Sequence, residues 1–358
     1  MSLLQISSVL LAAPAGAAVF FLLYNRVFLQ FRHSRAKLVV SLLSLLGLLS
    51  VSTLAGYAWA GYRSLLPAIA LLLILGVGEV WRFARRRRCR GAAPVADTHH
   101  RIHLRRPFTT LELAVRRYRI PLPDWPGGRF RIVQLSDLHM SGHLPADYYA
   151  RVADEATAAG GDVVIVTGDL ISDTRHLSLL VPFLRRLRAR LGVYAVLGNH
   201  DWWSDPTAVQ TALAAAGVVW VANSCRSLPA VNGACVRLGG CERPWSNGLS
   251  PWMAPPENPA EPLILLTHTP DNIFHIARRV SHSTLVFAGH YHGGQIRIPW
   301  LGSLLVPSIH GRLFDHGHFV LNGVHLFVNA GIGAAMPRLR IYCNPEIVIV
   351  DLQGKGSD

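Results

Sequence analysis

Five short clusters in the later part of the chain bring together carboxylates, amides and imidazoles. They are Ser136-Asp137-Leu138-His139, Gly168-Asp169-Leu170-Ile171-Ser172-Asp173, Gly198-Asn199-His200-Asp201, His268, and Gly289-His290-Tyr291-His292-Gly293-Gly294-Gln295. Their donors are oxygen and nitrogen without thiolate, which suits Mn²⁺, Fe, Zn²⁺ or related ions rather than a structural zinc site. Two such ions held ~3.5–4 Å apart clamp a phosphoryl group and generate hydroxide from water. Taken singly, an Asp-x-His or Gly-Asn-His is equally at home in a turn or a helix cap. All five together, each after an apolar run, point to one site.

Those runs are the elements that must position the clusters. FRIVQL (130–135), DVVIVT (162–167), VYAVLG (193–198), LILLTH (263–268) and TLVFAG (284–289) read as buried strands. Further strands are expected at 218–222, 325–330 and 346–352, and amphipathic helices at 146–160, 176–191 and 207–217. Strand–helix alternation indicates an α/β layered domain, with the later strands forming a second sheet. In such sheets the carboxyl ends of neighbouring strands open onto one crevice. Asp, His, Asp, Asn, His, His and His would therefore meet at a common edge.

The ordered set D-x-H, G-D-x-x-D, G-N-H-D, H and G-H-x-H resembles that of the calcineurin-like metallophosphoesterases over roughly residues 129–352. GHYHGGQ followed by IRIP, and the later NAGIG, Arg340 and PEI, are similar to a membrane-associated bacterial branch. That branch includes cation-dependent phosphodiesterases and hydrolases of UDP-diacylglucosamine. The resemblance implies a four-layer sandwich of two β-sheets flanked by helices, and two divalent metal ions, Mn²⁺ first with Fe or Zn²⁺ as alternatives. By the same resemblance Asp137, His139 and His292 hold one ion, Asn199, His268 and His290 the other, and Asp169 bridges both. His200 would act on the phosphoryl or leaving oxygen, with Asp201 orienting its imidazole. The implied reaction is hydrolysis of a phosphodiester or pyrophosphate by a metal-bridging hydroxide.

Other polar residues carry blander expectations. Asp173 reads as a cap or a support of the site, and Arg340 as a partner of Glu346 or a substrate contact. Trp202 and Trp203 either pack or cover a substrate group. His275, His282, His310, His316 and His318 belong to no motif and read as structural or surface residues.

Hydrophobic residues make up 51% of the 358 and charged residues 16%, and mean hydropathy is +0.29. This composition excludes a disordered chain and argues against a purely soluble one. Three apolar runs at about 7–24, 38–60 and 64–81 are each long enough to span a bilayer, which needs ~20 residues with ~17 as the lower limit. The net charge of +14 is concentrated: residues 82–131 hold fourteen arginines against three acids, whereas 132–358 sum to −1. A nucleic-acid-binding surface on the catalytic part is not supported.

Basic residues flank the first and third runs, so the positive-inside rule places the chain after residue 82 in the cytoplasm of an inner (plasma) membrane protein. The arginine run Arg85-Arg86-Arg87-Arg88 also suits anionic lipid headgroups. Five unpaired-looking cysteines fit a reducing compartment. The expected organisation is a three-span transmembrane region at 1–81, a basic juxtamembrane segment and linker at 82–128, and a metallophosphoesterase domain at 129–358. Tethering beside the inner leaflet favours a lipid-linked phosphate ester as substrate. The alternatives are a nuclease or nucleotide phosphodiesterase at the membrane, and a non-catalytic scaffold. The oligomeric state is not fixed by the sequence.

Overall fold

A computed structural model describes residues 3–31, 35–58, 65–99, 104–246, 261–280 and 283–354. The chain divides into two compact units, Met1–Arg88 with Val306–Leu313, and Cys89–Leu305 with Phe314–Asp358. The first unit contains three long helices, α1 (Leu3–Arg26), α2 (Arg35–Ala58) and α3 (Leu65–Cys89). Among the described residues one helical segment, Ala36–Leu54, is long and apolar enough to cross a membrane, and the apolar stretch Ala12–Asn25 is shorter. The third apolar run continues through the arginines, so that α3 ends only at Cys89. Within this unit the Val306 N–H donates to Asn25 Oδ1 at 2.6 Å, and Glu79 pairs with Arg312 at 3.1 Å. Arg32, Arg63 and His282 lie outside the described residues.

The second unit is built on two sheets. Its strands run β1 (Ala96–Asp97), β2 (Ala114–Pro121), β3 (Arg129–Leu135), β4 (Val163–Thr167), β5 (Val193–Val196), β6 (Val219–Trp220), β7 (Cys225–Pro229), β8 (Cys235–Cys241), β9 (Leu263–Thr267), β10 (Thr284–Ala288), a small hairpin of β11 (Arg297–Ile298) and β12 (Gly302–Ser303), then β13 (Gly317–Leu321), β14 (Val324–Val328) and β15 (Glu346–Gln353). The first sheet has the order β1-β2-β15-β3-β4-β5-β6 and the second β13-β14-β10-β9-β8-β7. Strands β3, β4 and β5 are mutually parallel, as are β8, β9, β10 and β14.

Alternation along the strands explains why apolar residues stand at both parities of these runs. Val133, Leu135, Val164, Val166, Ala195, Ile347 and Ile349 face α4 (Ala146–Ala158), α5 (Leu177–Arg186) and α7 (Pro206–Ala215). Phe130, Ile132, Val163, Ile165, Val196, Val348 and Val350 face the second sheet, meeting Ile264, Leu266, Leu285 and Phe287. A strand buried on both faces needs apolar side chains at both parities. Phe274 on the short α8 (Ile273–Ile276) packs on Phe314, which meets Phe319 of β13. The result is a mixed α/β architecture of two sheets flanked by helices.

Two expectations are corrected. The stretch 82–128, read as a basic segment and linker, includes β2, which pairs in parallel with β15 over its whole length. Arg116, Arg117 and Arg119 hid this strand, because a charged run reads as solvated. Arg116 is in fact a half-buried partner of Asp97 and Glu346. The second unit accordingly begins at Cys89, not at 129. The helix expected at 176–191 ends at Arg186, where Leu187 turns extended and enters the core. All five cysteines are free thiols.

Glu346, at the start of β15 and buried, accepts from the Ala330 N–H at 2.6 Å and faces Arg116 and His316. Burial opposes its ionisation, but His316 and Arg116 outweigh burial and hold the carboxyl down at about 2. Its folded pKa lies below the unfolded value of ~4.3, so its stabilisation is complete above that pH and is lost as pH falls toward ~2. The shift corresponds to something on the order of 3 kcal/mol. In unfolding titrations of the full chain in detergent, Glu346→Gln is expected to lower stability at neutral pH and to flatten the acid limb. An acid limb as steep as that of the wild type would refute the assignment.

Candidate metal centre

Each expected residue sits just beyond the carboxyl end of a strand: Asp137 and His139 after β3, Asp169 after β4, Asn199 and His200 after β5, His268 after β9, His290 and His292 after β10. Five of them, Asp137, His139, Asp169, His290 and His292, have a left-handed backbone with φ between 42° and 68°. Non-glycine residues held there cost on the order of 1–3 kcal/mol each and concentrate at functional sites. Glycines leave room for this path. A Cβ on Gly289 would lie 2.2 Å from Asp137 Oδ2, and one on Gly198 would lie 2.1 Å from Asp169 Oδ1.

Two groups of donors result. Asp137, His139, Asp169 and His292 form one, and Asp169, His268 and His290 the other, with ligand atoms in each group within 4.8 Å of one another. In the first, His139 Nε2 lies 3.0 Å from His292 Nε2 and 3.4 Å from Asp169 Oδ2, and His292 Nε2 lies 3.4 Å from Asp137 Oδ1. In the second, His268 Nε2 is 3.1 Å from His290 Nδ1 and 3.3 Å from Asp169 Oδ2. Asn199, buried, adds its Oδ1 at 3.1 Å from His268 Nε2. Asp169 Oδ2 is thus common to both groups, while Oδ1 accepts the His200 N–H at 2.9 Å.

Outer contacts fix these side chains. His268 Nδ1 meets the Thr167 carbonyl at 2.8 Å and His139 Nδ1 meets Ser172 Oγ at 3.2 Å, so both rings turn Nε2 inward. Both oxygens of Asp137 take the His290 N–H at 3.0 Å. Below the site, Gln134 of β3 donates to Thr167 Oγ1 and to the Ala288 carbonyl, linking the two sheets.

The electrostatics match a cation site. Burial raises Asp137 to about 6 against the pull of His268. Burial would also raise Asp169, but His268 and His200 outweigh it and hold the carboxyl well below its ordinary range. Burial pushes His139 down to about 3, and holds His290 and His292 well below the usual imidazole value. His268 runs the other way, to about 9, because Asp169 overcomes its burial. Neutral imidazoles with converging lone pairs are poor partners for one another and good ones for a cation. Donor spacings of 3.0–3.4 Å are those expected between adjacent ligands of an ion bound at ~2.1 Å. The residues fit divalent metal ions.

His200 stands at the edge of this cluster, its ring 4.7 Å from that of His139 and 5.2 Å from that of Trp203. Asp201 does something other than expected. Its carboxylate accepts from the Gly198, Leu170 and Ile171 amides at 2.9–3.2 Å and so clamps the backbone beneath Asp169. A carboxylate three residues into a helix is well placed to reach back to the N-cap amide. Burial and the neighbouring Asp169 raise Asp201 to about 7.

Arg340 does not pair with Glu346. It is fully buried and donates to the carbonyls of Gly333 and Ala330 at 2.6–2.9 Å, with His292 O at 3.4 Å. Asp173 caps a short turn through the Arg175 N–H and stays outside the donor groups. Trp202 packs against the helix-side core. His316 belongs to the Glu346 cluster and His318 stacks on His325 and Phe327. His275 is exposed and His310 takes a local bond from its own N–H to Ser308 Oγ. Trp245 was not anticipated: its ring lies 5.5 Å from both His268 and His290. It follows the carboxyl end of β8, a strand not expected from the sequence, so its place at the site was not legible.

The profile of calcineurin-like phosphoesterases matches residues 130–294. The metallophosphoesterase YkuE of Bacillus subtilis is 30% identical over 230 residues, 63% of this chain and 79% of its own length. The UDP-2,3-diacylglucosamine pyrophosphatase LpxG of Chlamydia trachomatis is 27% identical, over 62% of this chain and 82% of its own. Phosphodiesterase YaeI of Escherichia coli is 26% identical over the same shares.

Proposed function

The chain belongs to the calcineurin-like metallophosphoesterases and is a metal-dependent hydrolase of phosphoric esters, and we propose that its substrate is a lipid-linked phosphodiester or pyrophosphate met at the cytoplasmic face of the membrane. The observation that carries the site assignment is the placement of Asp169 Oδ2 against both His139 Nε2 and His268 Nε2. Asp137, His139 and His292 would hold one ion, Asn199, His268 and His290 the other, with Asp169 shared. When bound, two divalent ions, Mn²⁺ foremost, supply Lewis acidity at the phosphoryl group and an acidified water. The chain's own work is positional. Thr167 and Ser172 fix the His268 and His139 rings, Asp201 holds the Asp169 loop, and His200 stands at the edge to pass a proton to the leaving oxygen.

The membrane side of the reading rests on sequence and on relatives. The segment Ala36–Leu54 suits a span, and we take the apolar parts of α1 and α3 as two more. The arginines at the end of α3 then face the cytoplasm and its anionic lipids. LpxG is named for a lipid-bearing pyrophosphate, and the chain covers 82% of it.

The test uses purified full-length protein in anionic liposomes. Chelation is expected to abolish hydrolysis of a soluble aryl phosphodiester, and Mn²⁺ to restore it. A UDP-linked diacyl sugar should compete with the aryl diester, whereas single-stranded DNA should not. Turnover that survives chelation would overturn the metal assignment, and indifference to lipid-linked pyrophosphates would overturn the substrate class.

A further inference from the structure

Directly after His292–Gly294 the chain forms an edge that the chemistry above does not use. Ile341 is bridged on one side to Ile296 and on the other to Phe108. Its N–H donates to the Gln295 carbonyl, and the Arg297 N–H donates to its own carbonyl, both at 3.0 Å. Gln295 also holds the following loop, donating to the Ala335 and Pro337 carbonyls and accepting the Ala335 N–H. Three segments, 104–111, 295–303 and 335–342, are therefore fastened together beside the metal loop. What they present is apolar. Trp300 at the tip of the β11–β12 hairpin is 89% exposed, Met336 68%, Phe108 66% and Leu301 56%. Trp300 also carries φ +65°, a conformation bulky side chains avoid, and it does so without burying its ring.

Within the three segments themselves the charge has one sign, Asp315 meeting Arg297 from outside them. The three segments contain five arginines and no aspartate or glutamate. Arg297 and Arg340 are engaged internally, and Arg105, Arg106 and Arg338 are exposed. A two-fold contact with a second copy would bring this patch against itself and oppose like charges. An anionic bilayer surface complements both parts: indole and aliphatic side chains settle at the headgroup level and guanidinium groups meet lipid phosphates. The same chain carries a segment able to cross a bilayer.

We propose that the hairpin tip with Phe108 and Met336 is a membrane-docking edge that seats on an anionic lipid surface and opens the neighbouring metal loop toward headgroup-borne phosphates. The catalytic consequence rests on the lipid-linked reading above; the docking itself does not.

The experiment places full-length protein in phosphatidylglycerol nanodiscs whose acyl chains are brominated near the headgroup. It compares tryptophan emission of the wild type with that of Trp300→Phe. The Trp300-dependent part of the emission is expected to be quenched by more than half, and quenching should weaken in Arg105→Gln/Arg106→Gln/Arg338→Gln. Trp300→Ser/Leu301→Ser should lower the ratio of lipid-linked to soluble-diester turnover on the order of ten-fold. Unquenched Trp300 emission would overturn the proposal, and so would an unquenched signal accompanied by loss of a dimer in Trp300→Ser. Quenched emission in a protein inactive on every phosphoester would uphold docking and defeat only the functional reading.

Discussion

Asp169→Asn is expected to remove metal-dependent hydrolysis of an aryl phosphodiester by about 10³-fold or more, the scale on which loss of a preorganised charge contact acts. The asparagine can keep one oxygen for the His200 N–H, but it replaces the negative charge that faces His139 and His268 together. Both ions would lose their shared ligand, so metal content per chain should fall with turnover. The metal-free fold should lose the part of its stability that His268 and His200 give the ionised Asp169 carboxylate, so the melting of the metal-free variant is measured beside its turnover. Ser172→Ala offers the graded control. It removes only the support of His139 Nδ1, where outer partners are typically worth ~10–100-fold. Wild-type turnover by Asp169→Asn at full metal content would defeat the shared-ligand assignment.

Arg340→Met should produce the largest loss of stability of any single change near the site. Its guanidinium is surrounded by main-chain oxygens of Ala330, Gly333 and His292, and among the described residues no carboxylate forms an ion pair with it. Removing it strands several buried acceptors, each costing ~1–3 kcal/mol. A total of about 3–5 kcal/mol is expected in denaturant titrations, comparable to breaking a buried ion pair. Arg340→Lys should recover only part of this, because an ammonium has no planar fork to reach both Gly333 and Ala330. A change below ~1 kcal/mol in Arg340→Met would show that water replaces the guanidinium freely.

The strands that carry the donors were legible because they are buried on both faces, which puts apolar side chains at both parities of FRIVQL, DVVIVT and LILLTH. The donors were legible because the sequence places them at the ends of those strands. What stayed hidden depends on contacts across long separations. Strand β2 looks like a charged connector until Glu346, 230 residues later, is placed against Arg116. Asp201 sits beside His200 in sequence, yet its carboxylate faces the amides of Leu170 and Ile171. Arg340 and Glu346 are near in sequence and opposite in sign, but one faces carbonyls and the other an arginine and a histidine. Spacing reports what is available to a site, whereas partner choice is settled by packing.

Strand β15 lies between β2 and β3, parallel to one and antiparallel to the other, and this affects how the protein is made. Ribosomes release β2 and β3 long before β15. At ~5–20 residues per second the interval is roughly 10–50 s. Throughout that time two strand edges that will later be central stand open, in a form that invites pairing with other chains. Arg116, Arg117 and Arg119 fall on the strand that waits longest. Charges on a waiting edge act as gatekeepers against aggregation, so the arginines that disguise β2 also keep the nascent sheet from closing on the wrong partner.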